Sequence, residues 1–463
     1  MTTDTMDISE VNIPERPTKI ARISCVPDSF EDLSDSFKED SYGPINFEKQ
    51  YASAYFIRLE SLRESTMSAA RAKWVETGLI EEDCMVGHVK DYKSGSSDIV
   101  LVGVLFKEMC LKPNVLDDIQ NNLKISDQFM SSPGVLELCH KLSDTDTLFL
   151  EDMEARLQLV FGDRTQLDQL PTGVVVAVLG QVNESGYFNV RDLVLPGCGT
   201  PGPIPIGGEA CYVAFVSGLR IGSPDVNPIS IQLLKDFLMG ISVSEAERKL
   251  ASQISRVIVA GDSLYVSQER DPTGSALAEA DILFSELSSV IPVNIMSGSR
   301  DPTNFCLPQQ PLHSGLFPES RRYGNMTVHT NPFKFRVGSM VFLGTSGQNV
   351  HDVSQFTTLE PGLNSLELIA NCGYLAPTAP DTLACYPFTI KDPLIFGDSE
   401  GFPHVIFAGN QPESQVRTIS DNNVRICSIA DFGADPSVVL INTTNVSDHK
   451  IIRLRVPSSL QLR

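Results

Sequence analysis

Positive charge is scarce in this sequence. Across 463 residues, 36 Lys and Arg face 58 Asp and Glu, a formal net charge of −22. Proteins that hold nucleic acid by its phosphates present a basic stripe. None is visible, so a large phosphate-binding surface is not expected. Long hydrophobic runs are missing too. No stretch approaches the roughly 20 apolar residues of a membrane-crossing helix. The opening "MTTDTMDISEVNIPERP" has no apolar core of a secretory leader. Close cysteine pairs are also absent: none of the ten cysteines stands in Cys-x-x-Cys spacing. That argues against structural zinc and for reduced thiols in an intracellular protein. What is present is an ordinary apolar fraction of 42%, enough for a full core, over a length that suggests two or three domains.

Residues 1–42 hold ten Asp and Glu against four Lys and Arg. This composition predicts a disordered acidic tail. From Asn46 the pattern turns amphipathic. Tyr51, Tyr55, Leu59 and Leu62 fall near helical spacing, which predicts one or two helices over 46–75. Residues 82–197 predict short strands at 98–109, 147–162, 173–182 and 186–195; Met153 to Leu159 alternates as the second arm of a hairpin within 147–162, and a hairpin turn falls at Asn183 to Gly186. Five strands with a helical insertion near 112–142 fit an OB-type barrel. The stretch "PGCGTPGPIPIGG" (196–208) contains Gly-x-Gly-x-x-Gly. A dinucleotide site needs a helix opening there, but prolines follow, so it is a linker.

After residue 209 the pattern becomes α/β. Buried strands are expected at 210–219, 256–262 and 291–298, alternating with helices at 229–252 and 273–290. Strand-rich sequence follows, in "SMVFLGTSG", "HVIFAGN", "VRICSIADF", "SVVLINTT" and "IIRLRVP". The expected domains are N-terminal helices over 43–80, a barrel over 81–200, and an α/β domain over 201–463. In such sheets ligands bind beyond the carboxyl ends of the strands. Those ends carry Ser217-Gly218-Leu219-Arg220, Gly261-Asp262, Gly298-Ser299-Arg300-Asp301, Leu343-Gly344 and Gly409-Asn410-Gln411-Pro412.

The order and spacing of these turns resemble the calcineurin-like metallophosphoesterase motifs. In that family two metals activate water and clamp a phosphoryl group, which demands many Asp, His and Asn ligands. Matched position by position, Gly218 replaces the first Asp and Arg220 its His. Asp262 is kept, while Tyr265 replaces a second Asp. Ser299 replaces the ligand Asn, and Arg300 the catalytic His. Asp301 is kept. Leu343 falls where a further His is expected, and Asn410 and Pro412 replace the last two. Of the direct metal ligands only Asp262 survives. These are vestigial motif positions, and the expectation is a phosphoesterase fold without its chemistry, with no metal and no cofactor. Arg220 and Arg300 are then candidates to neutralise Asp262 and Asp301. The histidines miss the motif slots, and His351-Asp352 lacks a nucleophile beside it.

The blocks "SGSRDPTNFCLPQQPLH" (297–313), "FLGTSGQNVHDV" (342–353) and "PTAPDTLACYPF" (377–388) carry a further resemblance. With "NPFKF" (331–335), "HVIFAGNQP" (404–412) and "FEKQYASAY" (47–55), they resemble the accessory B-subunit family of the replicative DNA polymerases, specifically its delta-type small subunits. The resemblance runs from about residue 45 nearly to the C-terminus. Ser297 departs from the family's usual Pro. The resemblance implies an OB barrel joined to an inactive calcineurin-like domain, a β-sandwich with flanking helices. It implies a nuclear, non-enzymatic scaffold in DNA replication and repair. Its implied partners are the cysteine-rich C-terminal domain of the delta catalytic subunit, a third, clamp-tethering subunit, and the catalytic subunit of the translesion polymerase zeta. Direct nucleic-acid binding would be weak or absent. An active metal-dependent phosphodiesterase is the alternative, and a free-standing OB nucleic-acid binder a third class.

Overall fold

The computed structural model describes residues 28–41, 51–91, 98–112, 140–204, 210–242, 244–265, 272–396, 401–419, 424–445 and 447–454. Three six-stranded sheets organise them.

The first sheet runs in the order Met326–His329, Val293–Met296, Ile254–Val259, Tyr212–Val216, Ser437–Asn442 and His449–Arg453. Its first four strands are parallel and the last two pair antiparallel. "YVAFV" and "ISRVIV" are buried along their whole length, as strands covered on both faces must be. Alternate residues go to opposite faces. Tyr212, Ala214 and Val216 meet Leu234, Phe237 and Phe284 of the helices Pro228–Leu238 and Pro272–Ser288. Val213 and Phe215 point the other way, into a second sheet.

That second sheet runs Phe30–Asp32, Phe333–Val337, Met340–Thr345, Val405–Gln411, Val424–Ala430 and Gln415–Ile419. Phe215 lies 5.9 Å from Phe342 and 5.0 Å from Phe407, ring centre to ring centre. The outer face of this sheet carries Leu343, Ile406 and Ile426 against Val350, Val353, Leu366 and Ile369, from the helices Gln348–Gln355 and Leu363–Asn371. The layers are therefore helices, sheet, sheet, helices.

The third sheet closes into a barrel. Its closing strands are Ile99–Glu108, Thr147–Glu151, Arg156–Phe161, Phe188–Val194 and Val175–Val182, and the last pairs back onto the first. Arg156–Phe161 and Phe188–Val194 are parallel. This is a five-stranded OB-type arrangement. Leu101, Leu105, Leu148, Leu150 and Val178 fill the interior. Val100, Val102, Ala177 and Leu179 face outward onto the helix Ala52–Ala70, through Leu59 and Leu62. The run "IVLVGVLF" is continuous because both of its faces are covered.

Three sequence expectations differ from this architecture, and a fourth is not tested by it. Residues 28–41, read as part of a disordered tail, form an edge strand and two short 3-10 helices. The helix read over 229–252 is two helices, Pro228–Leu238 and Glu245–Ser252. Gly240 ends the first at φ 66, and Ser244 caps the second. The strands Met326–His329, Phe333–Val337 and Gln415–Ile419 were not anticipated as strands. The helical insertion expected near 112–142 lies almost entirely outside the described residues.

Candidate functional site

The strand ends converge on one side of the sandwich. Ser217 bridges to Asp431, and the Gly218 N–H donates to Gly261 O at 3.1 Å. The Asn410 N–H donates to Ser217 Oγ at 2.8 Å, and its amide to Ser346 O at 2.9 Å. Two glycines permit this approach. A Cβ on Gly261 would lie 2.4 Å from Ser346 Cβ, and one on Gly409 would lie 2.2 Å from Ala260 O.

Asp262 sits at the centre, 2% exposed. Its Oδ1 accepts the Arg300 N–H at 2.9 Å. The Ser299 hydroxyl stands 3.4 and 3.5 Å from its two oxygens. Arg300 Nε is 4.0 Å from Asp262 Oδ2, and its Nη1 is 3.8 Å from Asp431 Oδ2. Arg220, 4% exposed, donates from Nη2 to Asp431 Oδ1 at 2.9 Å. The Arg220 N–H donates to Asp262 O at 3.0 Å. Arg300 thus spans two carboxylates loosely, while Arg220 holds Asp431 tightly. Among the described residues no ion pair joins either guanidinium to Asp301.

Asp301 is satisfied by main chain. Its Oδ1 accepts from the N–H groups of Ser263 and Leu264, both at 3.0 Å, and its Oδ2 from Gly298 at 2.9 Å. Burial pushes its carboxyl up to about 7, with the charge of Asp262 adding to the rise and the three N–H donors opposing it. Burial also raises Asp262, against the pull of Arg300.

Arg220, Asp262 and Asn410 have φ of 36°, 54° and 54°, the positive-φ non-glycine residues among the described ones. Each costs about 1 kcal/mol or more. All three fall at these strand ends.

The site is backed by a buried amide network. Gln309 Nε2 donates to Gly298 O at 3.2 Å and Asn304 O at 2.9 Å. Its Oε1 accepts from Asn331 Nδ2 and Gln348 Nε2, both at 2.8 Å. Asn331 also donates to Ser346 Oγ at 2.8 Å. The "LPQQPLH" and "GTSGQN" blocks are therefore knit to each other and to the Gly298 turn.

The sequence-derived positions do not all meet. Gly218, Arg220, Asp262, Ser299, Arg300, Asp301 and Asn410 do. Tyr265 is half-buried one turn away, its N–H on Ile221 O. Pro412 is exposed. Leu343 lies inside its strand and faces the outer helices; the residue from that strand's end that reaches the site is Ser346. Asp431 was missed, although "RICSIADFG" shows the same buried strand ending in an acidic turn. Among the described residues, no group of three or more His, Cys, Asp or Glu side chains is placed to hold a metal ion. His351 and Asp352 diverge: the first contacts Gln355 Nε2, and the second accepts the Thr378 and Thr382 hydroxyls.

Residues 50–193 match the family described as the DNA polymerase delta subunit OB-fold domain. Residues 213–417 match the family of the B subunit of DNA polymerase alpha/epsilon. The class these two matches define is that of DNA polymerase B subunits. The chain is 35% identical to the DNA polymerase delta small subunit of Arabidopsis thaliana, over 87% of this chain and 91% of that one. The Oryza sativa subsp. japonica protein of that name is 34% identical, over 86% and 91%. The Saccharomyces cerevisiae one is 30% identical, over 91% and 92%. The chain belongs to the DNA polymerase delta small subunit family. A solved structure of zinc-bound Vps29 from Entamoeba histolytica aligns at 8% identity and TM-score 0.24, over 53% of this chain and 99% of its own; a likeness that weak supports nothing further.

Proposed function

We propose that this chain is the non-catalytic accessory subunit of the replicative DNA polymerase delta. It acts in the nucleus as a scaffold. One face takes the cysteine-rich C-terminal domain of the catalytic subunit, and another takes the third, clamp-tethering subunit. The catalytic subunit of polymerase zeta is a further partner of the same kind. The domains are N-terminal helices over 43–80, an OB barrel over 81–200 and an inactive phosphoesterase-like unit over 201–463.

The observation that carries the non-catalytic reading is the pair of guanidiniums at the strand ends. Arg220 and Arg300 bring fixed positive charge to Asp262 and Asp431, where a phosphodiesterase would need metal ions. A dication entering there meets two cations already in place. The acidic charge of the chain, −22, supports protein contacts over phosphate contacts.

Co-expression with the catalytic and third subunits tests the proposal. A stoichiometric three-chain complex is the expected result, with no phosphodiesterase turnover in manganese. Recovery of this chain alone as a stable monomer would overturn the scaffold reading. Manganese-dependent turnover lost in Asp262→Ala would establish the enzyme instead.

A further inference from the structure

Residues 28–37 lie along the outer edge of the second sheet as a side-chain-specific ligand would. Phe30, Glu31 and Asp32 pair antiparallel with Val337, Arg336 and Phe335. Three alternate residues, Asp28, Phe30 and Asp32, are then read by one surface. Asp28 makes a two-pronged ion pair with Arg256, Nη2 to Oδ1 at 2.9 Å and Nε to Oδ2 at 3.0 Å. The Phe30 ring lies under the same guanidinium, 3.7 Å from its carbon, and packs on Phe335. Asp32 Oδ2 is 3.0 Å from His329 Nδ1. Ser34 Oγ then both donates to Lys334 O and accepts from Lys334 N.

The receiving groups also have partners outside this segment. Arg256 Nη1 donates to Asn294 Oδ1 at 2.8 Å, and the Asn294 amide is 2.8 Å from His329 Nε2. Thr327 Oγ1 also stands 2.8 Å from that nitrogen, and the His329 ring stacks on Phe333 at 4.1 Å. Asn294 therefore sets the spacing between the arginine and the histidine. The strand edge at Phe333–Val337 supplies main-chain donors and acceptors. Such an edge, with spaced pockets beside it, binds peptides by strand addition. A guanidinium and an imidazole N–H, one on each side of an aromatic slot, select acidic ends and a ring between them.

We propose that this edge, with Arg256 and His329, is a peptide-binding groove for an extended partner segment of the pattern Asp-x-Phe-x-Asp, occupied in cis by Asp28–Asp32. A protein partner presenting the same pattern exchanges with the chain's own strap. Occupancy in cis lowers the apparent affinity for the partner by the fraction of time the groove is free.

The test uses the full-length chain and a fluorescein-labelled synthetic peptide of residues 28–38. The full-length variant Asp28→Ala/Phe30→Ala/Asp32→Ala is expected to bind the peptide saturably. Wild type is expected to bind at least about tenfold more weakly. Adding Arg256→Ala to the variant, or making Asp28→Asn and Asp32→Asn in the peptide, is expected to abolish binding. A folded variant that ignores the peptide, or that binds the altered peptide equally, would overturn the proposal. If the variant does not fold, hydrogen exchange on wild type decides. Excess peptide is expected to speed exchange of the Leu33 amide, which is bonded to Lys334 O; an unchanged rate counts against the groove.

Discussion

Asp301 shows how one carboxylate can hold two turns together. Its carboxylate accepts three main-chain N–H groups from two turns, so it fixes the shape of the site whether or not anything binds there. Asp301→Asn keeps the size but turns a donor toward one of those donors. A loss of about 1–3 kcal/mol in denaturant unfolding is expected. The pH dependence has a definite sign. The folded carboxyl titrates near 7, above its unfolded value, so the folded state binds the extra proton between them. The stability from that proton is fully present below the unfolded pKa and is lost as pH rises through about 7. The cost of Asp301→Asn should therefore be larger near pH 5 than near pH 8. Because Asp262 is raised as well, the proton belongs to the pair, and a cost that grows with pH would refute this account. Asp262, Arg300 and Asp301 were legible because a buried run ending in a glycine turn places the next polar residues at a strand end. Leu343 was not. Adjacent strand residues alternate between faces, and the turn that carries Ser346 lies past the run that draws the eye.

Among the elements, the strand-end turns show most clearly what a pattern hides. Gly409 reads in the sequence as a turn glycine, but it lies within the strand Val405–Gln411. It is needed because the Ile254–Val259 strand of the other sheet ends against it, at Ala260 O. Gly409→Ala is therefore expected to destabilise by about 1–3 kcal/mol, through overpacking against backbone that cannot step aside. Thermal melting checks this, and an unchanged midpoint would show that the two sheets slide apart freely. The buried parallel strands were legible for a simple reason: both faces are covered, so they read as unbroken apolar runs. The strap was hidden by its composition. "DSFEDLSDSF" has the charge and serine content of a disordered tail, and only Phe30 and Phe37 hint at burial. Its order comes from Arg256, His329 and Lys334, each about 230 to 300 residues away in the chain, beyond the reach of any local pattern. The break at Gly240 was legible in principle, since a glycine followed by Ser-Val-Ser inside a helical stretch offers both a stop and a new cap.

At the scale of the whole molecule, barrel and sandwich are tied by buried polar groups as well as by apolar contact. Arg58, on the helix Ala52–Ala70, is 1% exposed. It donates to Gly173 O of the barrel at 2.7 Å, to Pro377 O at 2.9 Å and to Ala379 O at 2.6 Å. Its guanidinium lies 3.8 Å from the Tyr374 ring centre, and the Tyr374 hydroxyl donates to the buried Asp392. Lys107 of the barrel donates to Phe356 O at 3.1 Å, and the Thr358 N–H to Asp168 O at 2.9 Å. Buried hydrogen bonds of this kind fix the geometry of the junction. Wild type should accordingly unfold in a single calorimetric transition. Arg58→Met keeps an apolar stem but removes the guanidinium, which strands three carbonyls and leaves Asp392 without its nearby cation. A loss of about 3–5 kcal/mol is expected. The melt should stay a single transition at a lower midpoint, because one continuous apolar core, from Val100 and Ala177 of the barrel through Leu59 and Leu62 to Ile369 and Ile426, still joins the two. A variant that melts as one unit at the wild-type midpoint would show that apolar packing alone joins the two, and that Arg58 serves local order only.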